Sequence, residues 1–409
     1  MNKIYQAIAK TFPAFRGRDF RLYFIGQFIS WAGTWLQNVT LGWFVWKMTH
    51  SGIWVGLTAA IPLFVCSLLT PMGGIIADRF DKRNVLYVIQ VLAMIQAFIL
   101  GGLAMNNYAP LWAIVSLSFM LGAINAVDGP TRNSLIPEIV RKEEIASSAA
   151  LNTAMITSSQ AFGPALAGLL IPFCGIGGTF IINGVSFIAV IVTLWMMLIE
   201  NKSKKHVEHP LKMFWAGIKY SVFEPRIRLC VVLTGLIGMF GFSYRAMLPI
   251  VTTEIFKSGP FILGCLTAAV GVGACAGAVI VSAKSKKVPF NMFVITGSIM
   301  TGTSLILFSL TSNIILGIVF LFFAGAGFTL SSSTVRAELQ VIVEDKMRGR
   351  AIGLAMMAFF AGMALGNSLE GILAKQFGPS VAISSNGIAL LVLVATIVFV
   401  SRKIKLKSV

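Results

Sequence analysis

Residues 73–86, GGIIADRFDKRNVL, join two apolar runs with almost no residues to spare. One run ends at Ala77, and the next begins at Val85. Between them stand Asp78, Arg79, Asp81, Lys82 and Arg83. Each run has the roughly 20 residues that a helix needs to cross a bilayer. A charged turn this tight between two spanning segments reads as a cytoplasmic hinge between membrane helices.

The rest of the chain repeats that pattern. Of 409 residues, 56% are apolar and 12% are charged, against roughly 25% charged in soluble domains. Spanning-length apolar segments fall near 20–45, 54–77, 85–105, 110–128, 145–172, 179–199, 227–251, 261–283, 290–310, 314–333, 351–376 and 380–400. The expected fold is therefore all-α, a polytopic membrane protein of twelve transmembrane helices, with both termini on one side. The net charge of +18 would suit nucleic acid if it formed a basic domain. Instead the cations lie between apolar runs, where they mark the cytoplasmic side and its anionic lipid leaflet. Of 33 Lys and Arg residues, only Lys47, Lys257 and Lys375 fall on the other side, and Arg245 lies inside a helix. Both termini are thus expected in the cytoplasm. The basic N-terminus lacks a compact apolar core and does not read as a cleavable signal.

The two halves resemble each other. At a constant offset, Gly122, Val140, Gly163, Leu166, Gly168 and Leu170 match Gly325, Val343, Gly366, Leu369, Gly371 and Leu373. An even number of helices per half makes the repeat parallel, with a pseudo-two-fold along the membrane normal. The expected division is a six-helix bundle over 1–200, a cytoplasmic linker over 201–219 and a second six-helix bundle over 220–409. The basic, Pro-containing linker reads as a flexible tether.

Several motifs carry a family resemblance. Gly74, Ile76, Ala77, Asp78, Arg79, Lys82 and Arg83 fit the signature loop of the major facilitator superfamily, with Asp81 where the general pattern has Gly. Asp128, Pro130, Arg132, Pro137 and Glu138 resemble the Asp-x-Pro-x-Arg…Pro-Glu stretch of its enterobactin-exporter, or transmembrane secretion effector, branch of drug:proton antiporters. Gly163, Pro164 and Gly168 partly match the antiporter motif of the fifth helix, which reads physically as a pliable seam between the halves. Residues 343–350 resemble that family's next cytoplasmic turn, where Arg336 and Arg348 supply charge. The resemblance implies two bundles around a central cavity that opens alternately to each side. It also implies a cytoplasmic gate of Asp78, Arg79, Arg83, Asp128, Arg132 and Arg348, in which Asp78 and Arg79 latch one helix end and release it. A surface pair gives only about 1 kcal/mol or less, which suits a reversible latch.

Buried ionisable groups point to function, because a charge within the bilayer is costly unless paired or wet. Arg245 and Glu370 stand out, and would form an ion pair if their faces met. Glu370 and Asp128 are the candidate proton-coupling groups. Gln27, Trp31, Thr34 and Asn38 share one face of the first helix. With Asn125, Tyr244 and Arg245 they are the candidate substrate-cavity residues. Arg245 favours an anionic or catecholate-like group. His206 and His209 lack a third ligand, and the five cysteines lack metal spacing; neither a metal site nor a cofactor is expected. No nucleophile–base pair or nucleotide loop is evident, so the chain reads as a non-enzyme. The resemblance implies proton-coupled efflux of an amphipathic small molecule, a siderophore or drug, and the expected protein is a monomer in the bacterial inner membrane that binds no nucleic acid. A siderophore importer or lysolipid flippase would use the same scaffold, and a non-transporting membrane sensor is the alternative of another class.

Overall fold

The computed structural model describes residues 12–106, 109–197, 210–284, 289–344 and 347–407. All regular elements among the described residues are helical. In chain order they are α1 (Arg18–Thr49), α2 (Gly52–Arg79), α3 (Lys82–Met105), α4 (Leu111–Ile139), α5 (Ile145–Met196), α6 (Pro210–Phe223) and α7 (Pro225–Gly241). Then follow α8 (Leu248–Glu254), α9 (Pro260–Lys284), α10 (Phe290–Leu310), α11 (Ile314–Ile342), α12 (Arg348–Phe377) and α13 (Pro379–Lys407). Ten described helical stretches are long and apolar enough to cross a membrane. The protein is an integral membrane protein. α1 falls outside that set although it has 32 residues, because Gln27, Ser30, Thr34, Gln37 and Asn38 dilute its apolar character.

Residues at the ends explain where the helices stop. Asp81, which replaces the signature Gly, caps α3: its Oδ1 accepts from the Asn84 backbone N–H at 2.9 Å, which satisfies one of the orphan donors of a helix start. Asn313 caps α11 through the Ile315 and Leu316 amides. α5 breaks at Gly175, whose φ of 72° suits a residue without Cβ. α1 lies between the two arms of α5. Its Trp35 packs on Gly163 in the first arm. Its Gln37 accepts from Asn183 in the second at 2.8 Å and donates to Gln96 of α3 at 3.0 Å. Such interhelical hydrogen bonds contribute roughly 0.6–2 kcal/mol each within a bilayer.

Three features differ from the expected layout. α4 and α11 run on to Ile139 and Ile342, so residues 128–139 and Arg336 are helical and not in turns. Thr131 and Ser134 bond back to the Val127 and Pro130 carbonyls, which keeps that part of α4 hydrogen-bonded around its prolines. The expected tether is helical from Pro210, and Gly217 meets Arg350 at the start of α12. His206 and His209 lie outside the described residues.

Candidate functional site

The span after the tether is broken. α7 stops at Gly241, Ser243–Met247 form a 3-10 turn, and α8 restarts with Pro249 in its first turn. Non-helical backbone at membrane depth survives only where protein or a wet cavity satisfies it. Arg245 sits in this break. Its guanidinium carbon lies 4.0 Å from the Phe242 ring centroid and 5.8 Å from that of Trp35. Its Nη1 donates to Gln160 Oε1 at 3.3 Å. Trp35 belongs to α1 and Gln160 to α5, so Arg245 joins the two halves. Phe242 is backed by Phe328 and Phe359, with centroids 5.4 and 6.2 Å away. A cation over an aromatic face gains about 2 kcal/mol when desolvated.

Arg245 and Glu370 do not meet: among the described residues neither makes an ion pair. Glu370 is fully buried. Its Oε1 accepts a short hydrogen bond from Asn386 Nδ2, and the same amide donates to Ser243 Oγ at 3.0 Å. Its Oε2 has no partner among the described residues. The carboxyl group is therefore wired through Asn386 to the turn that carries Arg245.

Other expected cavity residues divide. On α1, Gly42 meets Pro249 of the other half. Asn38 and Thr34 stand one and two turns away from Gly42 on that same face, so the exposed Asn38 looks into the space between the halves. Trp31 and Thr34 are half-buried, and Thr34 bonds to the Ser30 carbonyl. Gln27 is buried, with its Oε1 unpartnered among the described residues. Asn125 is exposed on α4 and makes no side-chain hydrogen bond among the described residues. Tyr244, expected to face substrate, is instead fully enclosed in the apolar core. It supports the turn from behind.

The expected gate is distributed. Arg132 Nε pairs with Asp128 Oδ2 at 2.5 Å, and Gln90 donates to Asp128 Oδ1 at 3.1 Å, all inside the first bundle. Neither reaches the signature loop, because residues four apart on one helix satisfy each other first. Lys82 pairs with Glu138 of α4. Arg83 donates to the Trp195 carbonyl at 2.9 Å and covers the Tyr87 ring. Asp78 and Arg79 are exposed and make no ion pair or side-chain hydrogen bond among the described residues. Arg348 is half-buried at the start of α12. Asp128→Ala would strand the Arg132 charge, which costs about 3–5 kcal/mol when a buried pair loses one partner. A marked fall in the thermal midpoint of the solubilised protein is expected, with a smaller fall for Asp128→Asn. An unchanged midpoint for Asp128→Ala would refute this role.

The halves touch along two seams. Gly168 of α5 lies against Gly264 of α9, and a methyl on Gly168 would meet the Gly264 Cα at 2.9 Å. Gly371 of α12 lies against Gly52 and Gly56 of α2 in the same way. Trp46 Nε1 donates to Thr253 Oγ1 at 2.6 Å beside these contacts. The α2–α12 seam reaches Ser67, which donates to the Met357 carbonyl at 2.9 Å. A Cβ on Gly74, Gly349 or Gly353 would meet no neighbouring atom within 4 Å. The glycine seams and the Trp46–Thr253 bond join the halves at the Trp46 end. Gly163 lies against Trp35 of α1 in its own half, whereas Pro164 and Gly168 lie against Gly264 of α9 in the other.

Trp35, Gln160, Phe328 and Phe359 were not among the sequence candidates. The broken span had a signal in Gly238, Gly241 and Pro249. The partners of Arg245 had none, because they come from remote helices.

The family profile described as transmembrane secretion effector matches residues 9–408. The Staphyloferrin A transporter of Staphylococcus aureus is 26% identical over 95% of this chain and 97% of its own. The enterobactin exporter EntS of Escherichia coli O1:K1 is 26% identical over 95% and 91%. Among solved structures, a POT family transporter in complex with 5-aminolevulinic acid superposes with TM-score 0.75 at 13% identity, covering 95% and 97%. A bacterial homologue of the lysosomal transporter Spinster, inward-facing and unoccupied, gives 0.73 at 12%, covering 93% and 95%.

Proposed function

The chain belongs to the transmembrane secretion effector family of the major facilitator superfamily, and from that premise we propose that it exports an anionic, amphipathic small molecule of the siderophore or drug class in exchange for protons. Transport rather than catalysis is its activity, as it is for its relatives. The observation that carries the substrate reading is Arg245: a guanidinium held in a helix break, between the halves, over an aromatic face. Such a group suits a carboxylate or catecholate on an aromatic or apolar body.

The remaining architecture follows the same reading. Counting α1 as a span, and each arm of α5 as one, gives twelve crossings. Gly163 packs on α1 and Gly366 on the α7–turn junction; Gly168 and Gly371 make the two seams. These matched roles support a pseudo-two-fold relating two bundles about a tether near 201–219. The cation bias supports a cytoplasmic signature-loop end and cytoplasmic termini, in the bacterial cytoplasmic membrane. In this reading the signature-loop end, on the cytoplasmic side, is the end that opens to receive substrate. Asp78 and Arg79 are free to latch when that end closes. Gln27, Trp31, Thr34, Asn38 and Asn125 complete the cavity around Arg245.

Glu370 is the proton-coupling residue in this reading. Its unpartnered Oε2 can take a proton without displacing a hydrogen bond, and Asn386 reports the change to Ser243. Asp128, committed to Arg132, is the weaker candidate. In inside-out vesicles an acidic lumen is expected to drive accumulation of a desferri catecholate siderophore. Uptake driven by protons moving with the probe would overturn the efflux reading. Glu370→Gln is expected to abolish the response to the pH gradient while leaving gradient-free exchange of the probe intact. Loss of both activities in a folded protein would make Glu370 a structural group instead.

A further inference from the structure

Arg336 is a second guanidinium on a spanning helix of the second half. It lies in α11, six residues before Ile342, and lines a cavity with Thr234 of α7, Ser332, and Met356 and Phe359 of α12. It is exposed and makes no hydrogen bond or ion pair among the described residues. A guanidinium on a spanning helix without an internal partner faces water or a ligand. Ile227, near the start of α7, and Val343, just past α11, share one apolar cluster, so these helix ends lie side by side. At about 1.5 Å per residue, Arg336 stands about 10 Å in from that end and Phe242 about 22 Å. The two guanidiniums are thus at different depths of one half. The rings between them form a strip: Phe359 beside Arg336, and Phe242, with centroid 6.2 Å from Phe359, under Arg245.

We propose that Arg336, with the Thr234 and Ser332 hydroxyls, is a second anion subsite, and that the transported molecules are elongated amphiphiles with two acidic groups bridged by an apolar or aromatic body. The inference rests on the reading of Arg245 as an anion-binding residue. The outer acid is caught first at Arg336, on the cytoplasmic side. The body then lies along Phe359 and Phe242, and the far acid reaches Arg245. A single cation would select for charge alone; two at fixed depths select for length as well.

The test compares rigid probes on the full-length purified protein. Biphenyl dicarboxylate, with an acid at each end of the rod, is titrated against biphenyl monocarboxylate. The diacid is expected to bind about tenfold tighter, a difference of about 1.4 kcal/mol. Arg336→Gln should erase that advantage and leave the monoacid affinity unchanged, while Arg336→Lys retains part of it. Arg245→Gln should weaken both rods. A diacid advantage that survives Arg336→Gln overturns the subsite and leaves the central site standing. Indifference of both rods to Arg245→Gln, with the Arg336 effect intact, overturns the bridging of the two guanidiniums together with the central reading. Failure of wild-type protein to bind either rod overturns both.

Discussion

Arg245→Ala is expected to lower transport by about a hundredfold or more while the protein still folds. The guanidinium makes one hydrogen bond across the halves, to Gln160, and covers the Phe242 ring. A charge-assisted hydrogen bond to substrate contributes about 1.5–3 kcal/mol, and a guanidinium can make two such bonds to one carboxylate. Together these exceed the roughly 2.7 kcal/mol that a hundredfold represents. Removing the charge from a membrane-depth site also removes a desolvation cost, so stability should hold or rise. Arg245→Lys keeps the charge but loses the planar fork, and should retain only part of the activity. The measurements are probe flux in vesicles and thermal midpoint in detergent. Near-normal flux in Arg245→Ala would place the substrate elsewhere.

The second large effect is expected at the seams. Gly56 and Gly371 bring α2 and α12 into backbone contact: a methyl on Gly56 would sit 2.4 Å from the Asn367 carbonyl oxygen and 3.0 Å from the Gly371 Cα. Both neighbours are backbone, which cannot rotate away. Overpacking costs about 1–3 kcal/mol per site in cores with side-chain freedom, and here the helices themselves must part. Gly56→Val should therefore penalise the state closed at the Trp46 end and shift the population toward the opposite state, since a few kcal/mol changes a two-state ratio by tens to hundreds. Flux should collapse, because alternation needs both states. In a background with the native cysteines replaced, Ile250→Cys, buried against Gly52 at the closed end, should become much more reactive to a soluble thiol reagent when Gly56→Val is added. Equal labelling rates would mean that the seam does not control closure.

The two substitutions separate binding from motion. Arg245→Ala should leave thiol labelling at the closed end unchanged, and Gly56→Val should leave the occluded Arg245 geometry disfavoured even at saturating probe. A result in which both variants behave alike would show that substrate binding and seam closure are one event.

Membrane solvent makes the sequence unusually legible. A backbone that must satisfy its own hydrogen bonds in hydrocarbon has few options, so long apolar runs become helices whatever their neighbours. Length, charge placement and the 73–86 turn therefore determined the all-helical membrane class, the spanning segments and the family. Gly168 stood in a sequence motif and Gly371 at its repeat match, but their seam partners Gly264, Gly52 and Gly56 had no signal. Charge pairing was not legible either. Asp128 sits four residues from Arg132, and only the continuation of α4 past Pro130 makes that spacing a contact. The 3-10 turn likewise buries Tyr244 and leaves Arg245 half-buried against Trp35 and Gln160, although the two are adjacent in sequence. Arg245 finds Trp35 and Gln160, and Glu370 finds Asn386 and Ser243, because remote helices cross at those heights. Hydropathy fixes each helix by its own composition. Partners across helices depend on rotation and depth, which no single segment encodes, and those only the tertiary structure decided.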